Sequence, residues 1–189
     1  HLSLEVQKLV ERYGKIDQSQ WDKVSSFTRI QKIKKGECFL SVGDQSDRFA
    51  VVESGLFRLY YVDLEGKEAI KTFRSQGGVI GAYAEFLRKI PSRLNVEALC
   101  DSTISVVKAE DMMNVFKSSA TWEKIGRRIT EALYLEKEER EYQFLCLDAA
   151  HRYQAFLKDY EQDAKRIPDY MVASYLGITP VYLSKLKKG

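Results

Sequence analysis

The sequence predicts an α+β chain: an N-terminal antiparallel β-roll with flanking helices, one long helix, and a C-terminal helix-turn-helix. Three observations carry this. Between Phe27 and Val107 short apolar runs alternate with glycine-centred turns about every ten residues, the rhythm of an antiparallel barrel or sandwich. From Thr121 an apolar stripe runs on at helical spacing for about 25 residues, longer than an ordinary globular helix. Near the C-terminus Ala173, Gly177 and Leu183 show the small–glycine–hydrophobic spacing of two short helices crossing over a tight turn.

Composition sets the outer bounds. The 189 residues, 44% hydrophobic and 30% charged, suffice for a sizeable core in one or two domains. No stretch approaches the roughly 18 apolar residues of a membrane span, which excludes an integral membrane protein. Glu5, Lys8, Glu11 and Arg12 interrupt any signal-peptide pattern. Cys38, Cys100 and Cys146 show no CxxC spacing, which fits a reducing cytoplasm and argues against a disulfide framework. With only His1 and His151 present, a histidine-based metal site is close to excluded, and no metal or cofactor is expected. The net charge of +3 is modest, but the last five residues hold three lysines while Glu131–Glu141 is acidic.

The elements follow in order. Leu2, Val6, Leu9, Val10 and Tyr13 form a helical stripe before Gly14, and a second helix is expected from Ser19 with Trp21, Val24 and Phe27 inward. Strands are expected at Cys38–Leu40, Phe49–Val52, Leu56–Val62, Glu68–Phe73, Asn95–Leu99 and Ile104–Lys108. In the longest, Phe57, Leu59 and Tyr61 share one face, with Arg58 and Tyr60 opposite. Asp63–Lys67 reads as the hairpin loop that follows it. A short helix, Glu110–Phe116, precedes the long one, for which Thr121 is the expected N-cap. Its stripe of Trp122, Ile125, Ile129 and Leu133 has two possible covers, the chain's own barrel or a second copy. The heptad-like spacing favours a homodimer seam.

In the C-terminal segment Pro168 is expected at the first position of a helix that ends at Gly177, where φ > 0 is expected. Thr179 caps the next helix, with Pro180 at its first position. Leu183 and Leu186 return to the core, which leaves Val181, Tyr182, Ser184, Lys185, Lys187 and Lys188 for an outer surface. Thr179 and Ser184 offer hydroxyls, Tyr182 reaches backbone or base, Lys185 projects from mid-helix, and Lys187 and Lys188 lie near its end. Such a helix suits phosphates and base edges.

This order of parts resembles the Crp-Fnr family of bacterial transcription regulators, over nearly the whole chain. The residues that carry the resemblance are Lys35-Gly36-Glu37, Gly43-Asp44, Ser54-Gly55, Gly66-Lys67-Glu68, Gly78-Val79-Ile80-Gly81 and the motif Ile167–Lys188. Ala173–Pro180 followed by Leu183-Ser184-Lys185 is similar to the Bacteroidetes type. The resemblance implies a jelly-roll-like double-stranded β-helix as effector domain over 1–120, a dimerisation helix over 121–147 and a DNA-binding domain over 148–189. The family continues into a β-wing, which is missing from this chain as it stops at Gly189.

The resemblance also implies an effector pocket around Gly81, Ala82, Tyr83, Glu85, Ser92 and Arg93. Members that bind cyclic AMP place Glu and Arg where this chain has Ala82 and Ser92. Arg93 falls one residue late and Glu85 three residues beyond the expected glutamate. Both anchors of the cyclic nucleotide are therefore missing in the simple register, and the expectation is a small molecule other than cyclic AMP, or no ligand at all. The implied partners are a palindromic operator in double-stranded DNA, a second copy of the chain, RNA polymerase and a small-molecule effector, in the cytoplasm and with no membrane. The expectation is a regulator, not an enzyme, since there is no Gly-x-Ser-x-Gly, Walker loop or His–carboxylate pair. The alternative is a ligand-sensing or association module with a degenerate DNA-binding tail.

Overall fold

The computed structural model describes residues 4–189; Leu2 of the first stripe lies outside them. Two short helices open the chain, α1 (Leu4–Glu11) and α2 (Gln18–Phe27). A capping box starts α2: the Asp17 carboxylate accepts from the Gln20 N–H, and the Gln20 side chain accepts from the Asp17 N–H. Then come β1 (Arg29–Ile33), β2 (Cys38–Leu40), β3 (Arg48–Ser54), β4 (Leu56–Val62), β5 (Glu68–Ser75) and β6 (Val79–Ile80). Helix α3 (Tyr83–Arg88) precedes β7 (Asn95–Ala98) and β8 (Ser102–Lys108). Four helices and the long one complete the chain: α4 (Ala109–Phe116), α5 (Ala120–Cys146), α6 (Ala149–Asp159), α7 (Asp169–Leu176) and α8 (Pro180–Lys188).

All strand pairs are antiparallel, in two four-stranded sheets ordered β1-β8-β3-β6 and β2-β7-β4-β5. Together they form the expected β-roll. Its interior is apolar and filled, with Phe39, Leu40, Val52, Phe57, Leu59, Ile80, Leu94, Val96 and Ile104 all buried. The hairpin joining β4 to β5 is held by Asp63, whose Oδ1 accepts from the Glu65 and Lys67 N–H groups. Gly55, between β3 and β4, has φ +115°, and a Cβ there would lie 2.0 Å from Ser102 Oγ, so no other residue fits this corner.

Strands β1 and β6 and helix α3 escape the sequence pattern. In β1 only Ile33 is buried, so no alternation is visible, and β6 has two residues. The N-cap of α5 is Ser119 rather than Thr121: the Ser119 hydroxyl accepts from the Trp122 N–H at 3.2 Å.

The seam assignment of α5 also needs correction. Trp122 (2% exposed) and Ile125 (0%) lie inside this chain, packed with Val10, Trp21, Val24 and Val115 from α1, α2 and α4. Ile129 joins the same cluster at its rim, and Leu133 is half-buried. These helices supply the cover for which a second copy was invoked.

A third core joins the helix-turn-helix to the roll. Leu56, Tyr60, Ile70 and Phe73, on the outer face of β4 and β5, pack with Phe156, Ile167, Met171, Val172, Tyr175, Leu176 and Leu183. Phe73, Phe156, Tyr160 and Tyr175 make contiguous ring contacts with centroids 5.2–6.3 Å apart.

Candidate nucleic-acid interface and effector site

Helices α7 and α8 meet over Gly177, at φ 71°, whose N–H donates back to Ser174 O. A Cβ at Gly177 would lie 2.9 Å from the Phe144 ring, so the turn requires glycine for both conformation and space. Pro168 stands at the N-cap of α7, one residue earlier than expected, and Asp169 is the first helical residue. Thr179 caps α8 as expected: its hydroxyl oxygen accepts from the Tyr182 N–H at 3.1 Å, and Pro180 follows.

On α8 only Leu183 is fully buried and Leu186 half-buried. Val181 (68%), Tyr182 (46%), Ser184, Lys185 and Lys188 are exposed. Lys187 is exposed too, and its ammonium donates to Asp169 Oδ1 at the start of α7. That hydrogen bond holds the Lys187 pKa above the ordinary lysine value and ties the ends of the motif together. The outward surface is therefore an apolar first turn followed by Ser184, Lys185 and Lys188.

The motif is fixed to the edge strand β5 by polar contacts that the sequence did not signal. The Ser174 hydroxyl accepts from the Ile70 N–H (3.1 Å) and donates to Glu68 O (3.2 Å), taking the place of a neighbouring strand. Arg140, from α5, donates to Ile70 O (3.0 Å) and Tyr175 O (2.9 Å), with its guanidinium 3.9 Å from the Tyr175 ring centre. Arg152 donates to Leu176 O and Leu147 O. Burial pushes the Tyr175 hydroxyl well above the usual tyrosine range. Beside this junction lies a cleft of about 350 Å³, lined by residues that include Arg74, Glu136, Glu139, Arg140, Tyr160 and Tyr175.

At the expected effector pocket Gly81 has φ +151°, and a Cβ there would meet the Phe49 ring at 2.7 Å. Ala82 is buried in the roll's own core. Tyr83 packs its ring on Phe49, 5.7 Å between centroids. Ser92 is buried and its hydroxyl serves a local turn, donating to Leu94 O (2.7 Å) and accepting from the Leu94 N–H (3.1 Å). Glu85 and Arg93 are brought together, as the sequence suggested: Arg93 Nη2 donates to the buried Glu85 carboxylate at 3.2 Å. So the pocket residues are engaged with one another, and Ser92 offers no cation for a phosphate.

A family model described as "Cyclic nucleotide-binding domain" matches residues 30–119. This stretch, just under half of the chain, is similar to that domain. The stretch comprises the roll from β1 through α4, and the solved structures extend the likeness past it. FixK2 from Bradyrhizobium japonicum is similar at 20% identity and TM-score 0.74, over 85% of this chain and 83% of that one. A putative Crp/Fnr-family transcriptional regulator from Eubacterium rectale shares 19% identity at TM-score 0.73, over 92% and 82%. The c-di-GMP-responsive global regulator CLP from Xanthomonas campestris shares 14% at TM-score 0.70, over 91% and 90%. These likenesses are of fold: the roll and the helices behind it are arranged as in Crp/Fnr regulators. No curated protein sequence matches the chain. Among the described residues no helix is long and apolar enough to cross a membrane.

Proposed function

We propose that the protein is a homodimeric, sequence-specific DNA-binding transcription regulator of the Crp/Fnr type, working in the cytoplasm and controlled by an effector other than cyclic AMP. One observation supports this most: α8 exposes Val181, Tyr182, Ser184, Lys185 and Lys188 while the rest of its motif is packed on the roll. A helix held from behind and cationic in front suits the major groove. In this reading residues 1–120 sense, 121–147 dimerise and 148–189 bind a palindromic operator, with RNA polymerase as the downstream partner.

The dimer seam moves along α5 to its exposed half. Leu135 (65% exposed), Tyr142 (53%) and Leu145 (77%) stand at heptad spacing there, and Tyr134 (59%) flanks them. Cyclic AMP is disfavoured because Ala82 is core and Ser92 is engaged in its own turn. The neighbour CLP, described as responsive to c-di-GMP, shows that this fold serves other effectors.

Gel shifts against genomic fragments at two salt concentrations test the reading. A preferred palindromic site is expected, with half-sites about one helical turn apart or a multiple of it. Lys185→Ala is expected to cost about 1–3 kcal/mol on that site and to narrow the gap to random DNA. Lys188→Ala should weaken all sequences alike and lower the salt slope by about one phosphate's worth. No preference over random DNA would overturn the regulator and favour an association module.

A further inference from the structure

The first turn of α8 has little with which to exchange hydrogen bonds with a base. Thr179 caps the helix, and its hydroxyl oxygen accepts from the Tyr182 N–H at 3.1 Å. Pro180 has no N–H to donate, and Val181 has a wholly apolar side chain. Both residues are exposed. Val181 is not a stray member of the core face: Leu183, two residues on and about 200° round the helix, is the one fully buried in the motif's core.

Val181 lies three residues before Ser184 and four before Lys185, and Lys188 lies one turn further, so these four share the outward stripe of α8. Lys187 is bonded to Asp169, which leaves Lys185 and Lys188 as the free cations of the helix among the described residues. The stripe thus has an apolar end at its N-terminus and a cationic end beyond it. Tyr182, about 100° round from Val181, is off the stripe, and its hydroxyl is left for the sugar–phosphate backbone.

In the major groove guanine O6 and N7 accept, cytosine N4 and adenine N6 donate, and thymine alone presents a methyl group. A recognition helix sets its N-terminal residues against these edges. Against a G·C pair, Pro180 and Val181 would strip water from O6, N7 or N4 and offer no bond in return. Against a thymine methyl the same side chains bury apolar surface on both partners. Lys185, one turn further on, can donate to guanine.

We propose that Val181, with Pro180 beside it, reads a thymine methyl group, so that each half-site of the operator holds an A·T pair next to the guanine contacted by Lys185. The proposal rests on the DNA-binding reading and names the base chemistry that this reading leaves open. A helical turn advances about 5.4 Å and stacked bases about 3.4 Å, which puts the thymine one or two steps from the guanine.

The test begins with a random-sequence duplex library selected on the full chain at fixed salt. The selected half-site should hold a thymine one or two steps from a G·C pair. Replacing that thymine by uracil keeps the base pairing and removes only the methyl group. Affinity in gel shifts should then fall about fourfold. Val181→Ala should bind the thymine and uracil duplexes within about twofold of each other and still prefer guanine at its place. Lys185→Ala should do the reverse, losing the guanine preference and keeping the uracil penalty. Both residues are exposed, so both variants should melt within about two degrees of the parent. Equal affinity of the parent for the two duplexes overturns the proposal, as does a uracil penalty that survives Val181→Ala undiminished, or a selected half-site with G·C pairs on both sides of the guanine. A chain that selects no sequence at all sinks the regulator reading and this inference with it. A selected operator indifferent to uracil sinks this inference alone.

Discussion

The two halves of α5 share one pattern and meet opposite fates. In the first, Trp122 and Ile125 are sealed against α1, α2 and α4. In the second, Leu135, Tyr142 and Leu145 stand in solvent, while the opposite side meets the roll and the helix-turn-helix through Arg140 and Phe144. An apolar stripe reveals which face of a helix seeks cover; it does not name the cover. That is decided by which elements the chain brings alongside, and four turns of the same helix can have different neighbours.

The largest effect should come from charging the covered half. Ile125→Glu places an unpaired carboxylate in a fully buried site, and a loss above about 4 kcal/mol is expected in urea unfolding. The matching change in the bare half, Leu135→Glu with Leu145→Glu, should leave the unfolding midpoint of the isolated subunit nearly unchanged. In light scattering it should instead convert a dimer to a monomer at micromolar concentration. A double variant that stays dimeric would place the seam elsewhere. An Ile125→Glu protein that folds and merely dissociates would restore the first half to the seam.

Much of the fold was legible because local chemistry wrote it. The hairpin at Asp63–Lys67, the glycine corners, and the turn from Gly177 through Thr179 to Pro180 each need particular residues, and those residues stand in the sequence. What was not legible depends on long-range placement. Nothing local marks Ser174 as the cap of a strand edge more than a hundred residues earlier, or Arg140 as the bridge between Ile70 and Tyr175. The outward residues of α8 followed from helical spacing, except that Lys187 turned to Asp169, a partner eighteen residues back. The effector pocket was legible only as a resemblance. The resemblance put Glu85 and Arg93 in one pocket, but the extra residue in β5, Lys71, is invisible to a period-two pattern.

Lys71 also sharpens the contrast, because the exposed half of α5 contributes Lys137 to its surroundings. The unfolded chain keeps Lys71 protonated up to about 10.5; in the folded chain burial first, then Lys137 and Arg74, push its amine down to about 8. Between those values the unfolded state binds the extra proton, so wild-type stability rises with pH through that window. Lys71→Met should accordingly raise stability by about 2 kcal/mol at pH 7. The gain should shrink as the pH climbs from 8 to 10.5. A gain independent of pH would mean that the methionine packs better, and not that a desolvated charge was removed.

The smallest effect tests how tightly the first half is held. Glycine inside a helix costs about 1 kcal/mol relative to alanine, so Gly126→Ala would stabilise α5 in open surroundings. Gly126 is not in open surroundings. A Cβ there would lie 2.8 Å from Phe116 Cγ and 3.0 and 3.1 Å from the two Cδ atoms. The Phe116 ring in turn leans on buried Trp122, 6.2 Å between centroids, so it has little room to retreat. The overlap should outweigh the helical gain and leave a net loss of about 1 kcal/mol. Thr130→Ala, one turn on and exposed, is the comparison. It forfeits only a hydroxyl bond to Gly126 O at 3.0 Å and replaces a β-branched residue, so a gain of about 0.5 kcal/mol is expected. Thermal melts of the two variants side by side decide the matter. If Gly126→Ala stabilises as much as Thr130→Ala, the contact between α4 and α5 yields easily, and the two halves of the helix differ less than their burial suggests.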